Sequence, residues 1–165
     1  MSQLIKNRNV VTDSWNYINP EETHIPTQGN IIVPLILWQQ HREELLKHTG
    51  QLGIQLLGEN EPEDILADLE KFSLIAIHFP TFMDGRGYSL ARILRDRYGF
   101  KGELRATGDV LRDQLFYLNR CGFDAFEISD NTSAENFIAG FDDFDATYQA
   151  ATDNALPLYR RTRLT

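Results

Sequence analysis

The alternation of apolar and polar positions predicts strands and helices in turn, most clearly between residues 72 and 128. Phe72–Phe79 is almost continuously apolar, which is typical of a strand covered on both faces in a parallel sheet. Two further strands are predicted at Glu103–Thr107 and Phe123–Ile128. The helix between the first two strands has an apolar stripe formed by Leu90, Ile93, Leu94 and Tyr98. This alternation favours a parallel sheet with helices packed on it.

The same pattern predicts helices and strands on either side of this central region. A helix is expected at Val110–Arg120, with Asp109 as its N-cap and Gly122 just beyond its end. A longer helix is expected at Ser133–Ala150. Before the central region, the pattern predicts a short strand at 31–33, a helix through Trp38 that stops near Gly50, a strand at 51–58 and a short acidic helix from Glu61.

The two ends of the chain have different characters. Residues 1–18 are predicted to form a small β-hairpin that turns at Lys6–Asn9, and Trp15 and Tyr17 then alternate with polar residues as on a half-buried strand. Residues 19–30 have no periodicity and are predicted as a loop, and residues 154–165 are predicted as a C-terminal arm.

These elements predict a single α/β domain over residues 1–165, a length that suits one domain. The expected architecture is an open, mostly parallel sheet with helices packed on it, Rossmann-like or flavodoxin-like, preceded by the N-terminal β-hairpin. The predicted strands are too few for a complete eight-stranded barrel. Because residues 105–126 resemble a late strand–helix–strand unit of such barrels, a partial barrel stays open as an alternative.

Composition and charge narrow the classes of partner and chemistry. Hydrophobic residues make up 42% of the chain, enough for an ordinary core, and the formal net charge is -8. An acidic chain argues against nucleic acid or an anionic membrane as the main partner. Cys121 is the single cysteine, so the chain forms no internal disulfide and no cysteine-ligated cluster, and no metal site is predicted. The N-terminus lacks a signal-peptide pattern and no apolar run is long enough to cross a membrane, so we expect a cytoplasmic protein.

The residues with the most chemical potential follow the predicted strands. In open α/β sheets ligands bind beyond the carboxyl ends of the strands, where His78, Thr107 and Glu127 also lie. The run from Asp84 to Ser89 leads into a helix, and its glycines and arginine suit a small oxyanion; a tight turn with Asp84 paired to an arginine is the alternative. The candidate ligand-binding residues are His78, Asp84, Gly85, Arg86, Gly87, Ser89, Arg105, Asp109 and Arg112.

The two loops after Phe72–Phe79 and Glu103–Thr107 are expected to be neighbours around one pocket, because parallel strands end at the same edge of the sheet. Arg86, Arg105 and Arg112 are predicted to cluster there, balanced only in part by Asp84 and Asp109. A structural network of ion pairs is the alternative reading of these alternating charges.

The string FPTFMDGRGYSLARILRDRYGFKGELRATGDVLRDQLFYLNRCGFDAFEI resembles the signature of a bacterial family of unknown function. Genes of that family commonly sit beside those for assimilatory sulfite reductase, and its members are often labelled putative oxidoreductases of sulfite reduction. The resemblance spans essentially the whole chain and is densest from Phe79 to Phe126.

The resemblance implies an accessory or oxidoreductase-like protein of assimilatory sulfite reduction, with sulfite reductase or another sulfur-assimilation protein as its partner. The alternative is a non-catalytic domain that binds a small oxyanion or another protein. The sequence identifies no cofactor, and it leaves open whether the chain is an enzyme and whether it forms a homo-oligomer.

Overall fold

One curled sheet of eight strands organises the computed structural model, which describes residues 3–22, 24–129, 132–144, 147, 149–157 and 160. The strands are β1 (Gln3–Lys6), β2 (Asn9–Val11), β3 (Asn16–Tyr17), β4 (Ile31–Pro34), β5 (Leu52–Leu57), β6 (Phe72–Phe79), β7 (Glu103–Gly108) and β8 (Ala125–Ile128). The helices are α1 (Leu35–Leu45), α2 (Arg86–Asp96), α3 (Leu115–Arg120) and α4 (Ala134–Ala139). Short 3₁₀ segments lie at Pro62–Asp64, Leu66–Lys71, Arg112–Gln114 and Gly140–Asp142.

The strand order across the sheet is β2-β1-β8-β7-β6-β5-β4-β3. Strands β3 to β8 pair in parallel and in chain order, whereas β1 pairs antiparallel with both β2 and β8. The α/β class and the N-terminal hairpin are confirmed, with Asn7 and Arg8 at positive φ in the hairpin turn. The hairpin itself is shorter than predicted, because Asn16–Tyr17 pairs with β4 at the opposite edge of the sheet.

The predicted doubly wound order is wrong. Rossmann-like and flavodoxin-like sheets reverse their strand order and carry helices on both faces. Here the parallel strands follow one another without a reversal, and α1 to α4 all contribute to a core on one face. Since successive crossovers on one face carry the sheet in one direction, the sheet grows towards a barrel rather than into a central crevice.

The connection between β2 and β3 shows how strongly the sheet curls. These strands are at opposite edges, yet five steps of chain separate Val11 from Asn16 and span at most about 18 Å. A flat sheet of eight strands would place its edges about 33 Å apart. The curl brings the Tyr17 hydroxyl of β3 within 2.9 Å of Glu127 Oε2 on β8. The sheet therefore resembles part of a barrel, with residues 12–15 crossing its concave side.

The two faces of the sheet differ in chemistry. The convex face is apolar and packs against the helices, with residues such as Ile54, Ile75 and Phe126 fully or almost fully buried. On the concave face Trp15 covers a small apolar cluster of Ile32, Leu74 and Ala76. Gly53 makes room for this ring, since a Cβ there would lie 3.2 Å from Trp15 Cζ3. Arg105, Thr107 and Glu127 are polar residues of this same face.

Several predicted helices are shorter in the structure. Asp109 does not cap the helix after β7, because its carboxylate accepts the N–H of Phe82, and α3 begins only at Leu115. Ser133 caps α4 by accepting the N–H of Asn136, but the helix gives way to a 3₁₀ turn at Gly140. Much of the predicted helix beyond residue 144 and of the arm at 154–165 lies outside the described residues. No helix in the described ranges is both long and apolar enough to span a membrane.

Candidate functional site

A pocket of about 650 Å³ opens on the concave side of the sheet, at the carboxyl ends of its central strands. Its volume falls in the range of small-molecule sites, about 300–1,000 Å³. Barrel enzymes place their active sites at this end of the strands. The lining side chains from the sheet are Gln55, His78, Thr107 and Glu127, followed by Gly108, Ile128 and Ser129, and Tyr17, Ile18, Asn19 and Pro20 complete the wall.

Successive side chains of a strand point to opposite faces of the sheet, and this alternation places these polar side chains on the pocket side. His78 lies between Ile77 and Phe79, which are buried on the helix side of the sheet. The register aligns His78 with Thr107, and His78 Nδ1 is 3.3 Å from Thr107 Oγ1. The register of β7 and β8 places Glu127 on the other side of Thr107. His78 and Glu127 are thus two strand spacings apart, about 10 Å between their Cα atoms.

Tyr17 closes the pocket from the edge of the sheet. Its hydroxyl donates a hydrogen bond to Glu127 Oε2 at 2.9 Å. Burial raises the pKa of the Tyr17 hydroxyl strongly, and the charge of Glu127 raises it further, although Arg105 opposes this. Tyr17 therefore stays protonated at neutral pH and orients the Glu127 carboxylate by donating to it.

Beneath Tyr17, Arg105 is fully buried in an ionic network. Its Nη1 donates to Asp13 Oδ2 at 2.7 Å and its Nε to Glu103 Oε1 at 2.8 Å. Lys6 Nζ binds the other oxygen of Glu103 at 2.6 Å. Burial alone would lower the pKa of Arg105, but its bonds to Asp13 and the charge of Glu103 outweigh burial and raise it. Arg105 thus anchors the crossing segment at Asp13 to the middle of the sheet.

The loops after β6 and β7 are neighbours, as predicted. The Phe82 N–H donates to Asp109 Oδ2 at 3.0 Å, and Gln114 Nε2 donates to the Phe82 carbonyl at 2.7 Å. Asp109 and Gln114, which follow β7, therefore hold the backbone around Phe82, which follows β6, in place.

Arg86 forms a two-point ion pair with Asp84, which is 2.9 Å from its Nε and 2.7 Å from its Nη2. These bonds lower the pKa of Asp84 to about 2. Glu59 lies 3.5 Å from the same guanidinium. The observed contacts therefore agree with the interpretation of residues 84–89 as a tight turn in which Asp84 pairs with an arginine.

The three arginines do not form the predicted cluster, because each pairs with different carboxylates. Arg112 binds Asp143 and the Asn136 carbonyl, whereas Arg86 binds Asp84 and Arg105 binds Asp13 and Glu103. The remaining candidates lie around the first turns of α2: Gly85 precedes the helix, Gly87 packs against Phe79 and Ser89 is exposed. Ligand binding by Asp84, Gly85, Arg86, Gly87, Ser89, Asp109 or Arg112 stays a prediction.

Of the nine candidate residues, His78 lines the pocket and Arg105 lies below it. Sequence reasoning placed Thr107 and Glu127 at strand ends but missed Gln55 and Tyr17. Gln55 is a lone polar residue in an apolar strand, which is a usable signal for a side chain aimed at a cavity. Tyr17 gives no such signal, because its position follows from the long-range crossing of residues 12–15.

The described part of the chain shows neither a metal centre nor an activated thiol. Within the described ranges, no group of three or more histidine, cysteine or acidic residues is arranged to hold a metal ion. Cys121 is buried, and burial raises the pKa of its thiol. The polar side chains that line the pocket are therefore an imidazole, a carboxylate, two amides and hydroxyls.

A comparison with known protein families identifies the family of this chain. Residues 53–159 match the model of a family described as bacterial protein of unknown function, DUF934. The chain belongs to this DUF934 family. Seven described lining residues, from Gln55 to Ser129, fall in the matched range, whereas Tyr17, Ile18, Asn19 and Pro20 precede it. A search among curated proteins found no match.

Proposed function

We propose that this DUF934 protein binds a small polar molecule in the pocket and serves as an accessory or oxidoreductase-like protein of assimilatory sulfite reduction. The observation that carries the binding site is the convergence of Gln55, His78, Thr107 and Glu127 on one cavity of about 650 Å³. The pathway is suggested by the resemblance of residues 79–128 to a family encoded beside sulfite reductase.

The pocket has the groups needed to orient a ligand and to exchange protons with it. An imidazole and a carboxylate are the usual acid–base groups of enzymes. His78 and Glu127 flank Thr107, so a ligand above Thr107 would contact both. The Thr107 hydroxyl is 3.3 Å from Nδ1 of the His78 ring, so Nε2 is the ring nitrogen that a ligand would contact. Gln55 supplies an amide that both donates and accepts hydrogen bonds.

The second candidate function is a protein-interaction domain, with sulfite reductase or another sulfur-assimilation protein as the partner. Phe82, Met83 and Leu111 are exposed apolar side chains on the neighbouring loops after β6 and β7. Exposed apolar patches often mark interaction sites. A non-catalytic oxyanion site at Arg86 is the weaker alternative, because an anion would compete with the two-point bond to Asp84.

Complementation tests the proposed function. A bacterium that lacks its own copy of this gene is grown with sulfate, sulfite or cysteine as the sulfur source, and carries wild-type protein, His78→Gln or Thr107→Val. We expect the deletion and both variants to grow poorly on sulfate and sulfite and normally on cysteine. His41→Gln is the matched control, since His41 is a surface histidine that pairs with Glu44 on α1.

Two results would count against the proposal. If the deletion strain grows normally on sulfite, the proposed role in sulfite reduction is wrong. Full complementation by His78→Gln and Thr107→Val, with both proteins folded and abundant, removes the pocket as the functional site. A pull-down with Met83→Ser separates the second function: loss of a sulfite reductase complex in this variant alone would favour the interaction domain.

A further inference from the structure

We propose that the ligand of the pocket carries an apolar group, and that this group binds in a side cavity lined by Leu35, Ile36 and Leu57. This inference rests on the proposed function, because it describes the ligand of the same pocket more closely. The ligand class is a small molecule with a polar head and an apolar tail. Sulfite alone has no such tail and would leave the side cavity unfilled.

The side cavity adjoins the pocket. It has a volume of about 410 Å³, and Pro20 and Gln55 line both cavities. Leu57, the last residue of β5, pairs with His78, which in turn pairs with Thr107. Leu57 lines the side cavity, whereas His78 and Thr107 line the pocket. One row of side chains across three strands therefore passes from polar groups to an apolar one within about 10 Å.

The described lining of the side cavity carries no charged side chain. Apart from Gln39, Gln55 and Asn60, the described lining residues are leucine, isoleucine and proline. The amide oxygen of Asn60 already accepts the N–H of Leu57, at 2.7 Å. A charged group would find no countercharge among these residues and would lose part of its hydration, which is unfavourable. The side cavity therefore suits the uncharged, apolar part of a ligand.

Ile36 and Leu57 leave apolar surface exposed in the side cavity. Ile36 is 53% exposed and Leu57 is 41% exposed. Covering apolar surface is favourable in proportion to the area removed from water. A ligand held by His78 and Thr107 covers this surface if it extends along the same row, because Leu57 is one strand spacing, about 5 Å, from His78. Continuity with the pocket thus identifies the tail of its ligand as the group that covers Ile36 and Leu57.

Aliphatic primary amides are suitable probes for this arrangement. The Gln55 amide and the Thr107 hydroxyl each donate and accept hydrogen bonds, as does the neutral ring of His78. A primary amide also donates and accepts, so it pairs with these groups without adding a charge. Propanamide and hexanamide share this head, and hexanamide has three more methylene groups. The difference between their affinities therefore isolates the contribution of the apolar tail.

Chemical-shift titration of the isotopically labelled full chain measures both dissociation constants. Full burial of one methylene strengthens binding about fourfold. Three partly buried methylenes should make hexanamide bind about tenfold more tightly than propanamide. In Ile36→Gln this ratio should fall to about threefold or less, because the apolar wall is lost. Val10→Gln, at an apolar residue of β2 that is 54% exposed, is the matched control and should keep the wild-type ratio.

Ile36→Trp is the second variant, because its larger side chain occupies the side cavity. It should weaken the binding of hexanamide and leave that of propanamide unchanged. Both substitutions are at an exposed position, so the fold is expected to tolerate them.

Three results would overturn the proposal. They are equal affinity of the wild type for the two amides, no binding of either amide at high millimolar concentration, and the wild-type ratio in both Ile36 variants. If Ile36→Gln keeps the ratio but turns a dimer into a monomer in sedimentation, a second copy of the chain covers this surface instead. None of these results removes the proposed function, because complementation by His78→Gln and Thr107→Val tests that function without altering the side cavity.

Discussion

Arg105→Met should destabilise the protein strongly, although the residue lies below the pocket rather than in it. Methionine keeps much of the length of the side chain but removes the guanidinium. In the native protein that group is fully buried between Asp13, at 2.7 Å, and Glu103, at 2.8 Å. The substitution therefore leaves the carboxylates of Asp13 and Glu103 without the cation that lies between them.

The structure sets the expected magnitude. Removing one partner of a buried ion pair costs about 3–5 kcal/mol of unfolding free energy. Glu103 is only 8% exposed but keeps Lys6 as a partner, and Asp13 is 30% exposed and partly reaches water. Both features favour the lower end, about 3 kcal/mol. For a chain of this size each kcal/mol lowers Tm by about 2–4 °C, so Tm should fall by about 6–12 °C.

Urea unfolding followed by circular dichroism and by tryptophan fluorescence measures this loss. Trp15 covers the concave face and reports on the crossing segment that Asp13 anchors. Arg92→Met is the matched control, because Arg92 is 50% exposed and pairs with Asp96 across one helical turn, a contact worth at most about 0.5 kcal/mol. If Arg105→Met loses no more stability than Arg92→Met, the network does not stabilise the fold as argued.

Two further substitutions probe the loop after β6 and the first turn of α2. Arg86 lowers the pKa of Asp84 to about 2, so the stability that this carboxylate contributes is present above its ordinary pKa of 3.8 and is lost as the pH falls towards 2. Asp84→Asn should remove that part of the pH dependence of the unfolding free energy, measured with urea. If the variant loses stability at acid pH as the wild type does, the Asp84–Arg86 pair does not stabilise the fold as argued. Gly87→Ala should cost about 1–3 kcal/mol, because its Cβ would lie 2.7 Å from Phe79 Cζ. A Cβ at Gly85 would have nothing within 4 Å, so Gly85→Ala should leave the free energy of unfolding nearly unchanged in the same urea experiment.

The sequence predicts the central strands well because their pattern is local. The bounds of β6 agree with the prediction residue for residue, since a strand buried on both faces is apolar at almost every position. Gly99 and Gly122 follow helices at positive φ, as their positions suggest. In these cases the information that sets the structure lies within a few residues of the feature it sets.

Strand order depends on information of another kind. Each helix has one apolar stripe, and that stripe is the same whether the helix packs on one face of the sheet or the other. The choice between a doubly wound sheet and a curled one follows from the side on which each crossover passes. Likewise, Trp15 and Tyr17 alternate with polar residues as on any edge strand, and nothing local shows that they cross to the opposite edge.

The same limit explains why arginines dominated the predicted site. A guanidinium near a strand end suggests an anion site, yet the partner of Arg105 is Asp13, which lies 92 residues away in the chain. With 24 acidic residues against 16 lysines and arginines, an arginine in this chain is more often balanced by a carboxylate than the reverse. Arginines that have found such partners are poor binders of a further anion. The groups left to recognise a ligand are those that ion pairing does not consume, and among the described residues that line this pocket they include His78, Thr107 and Gln55.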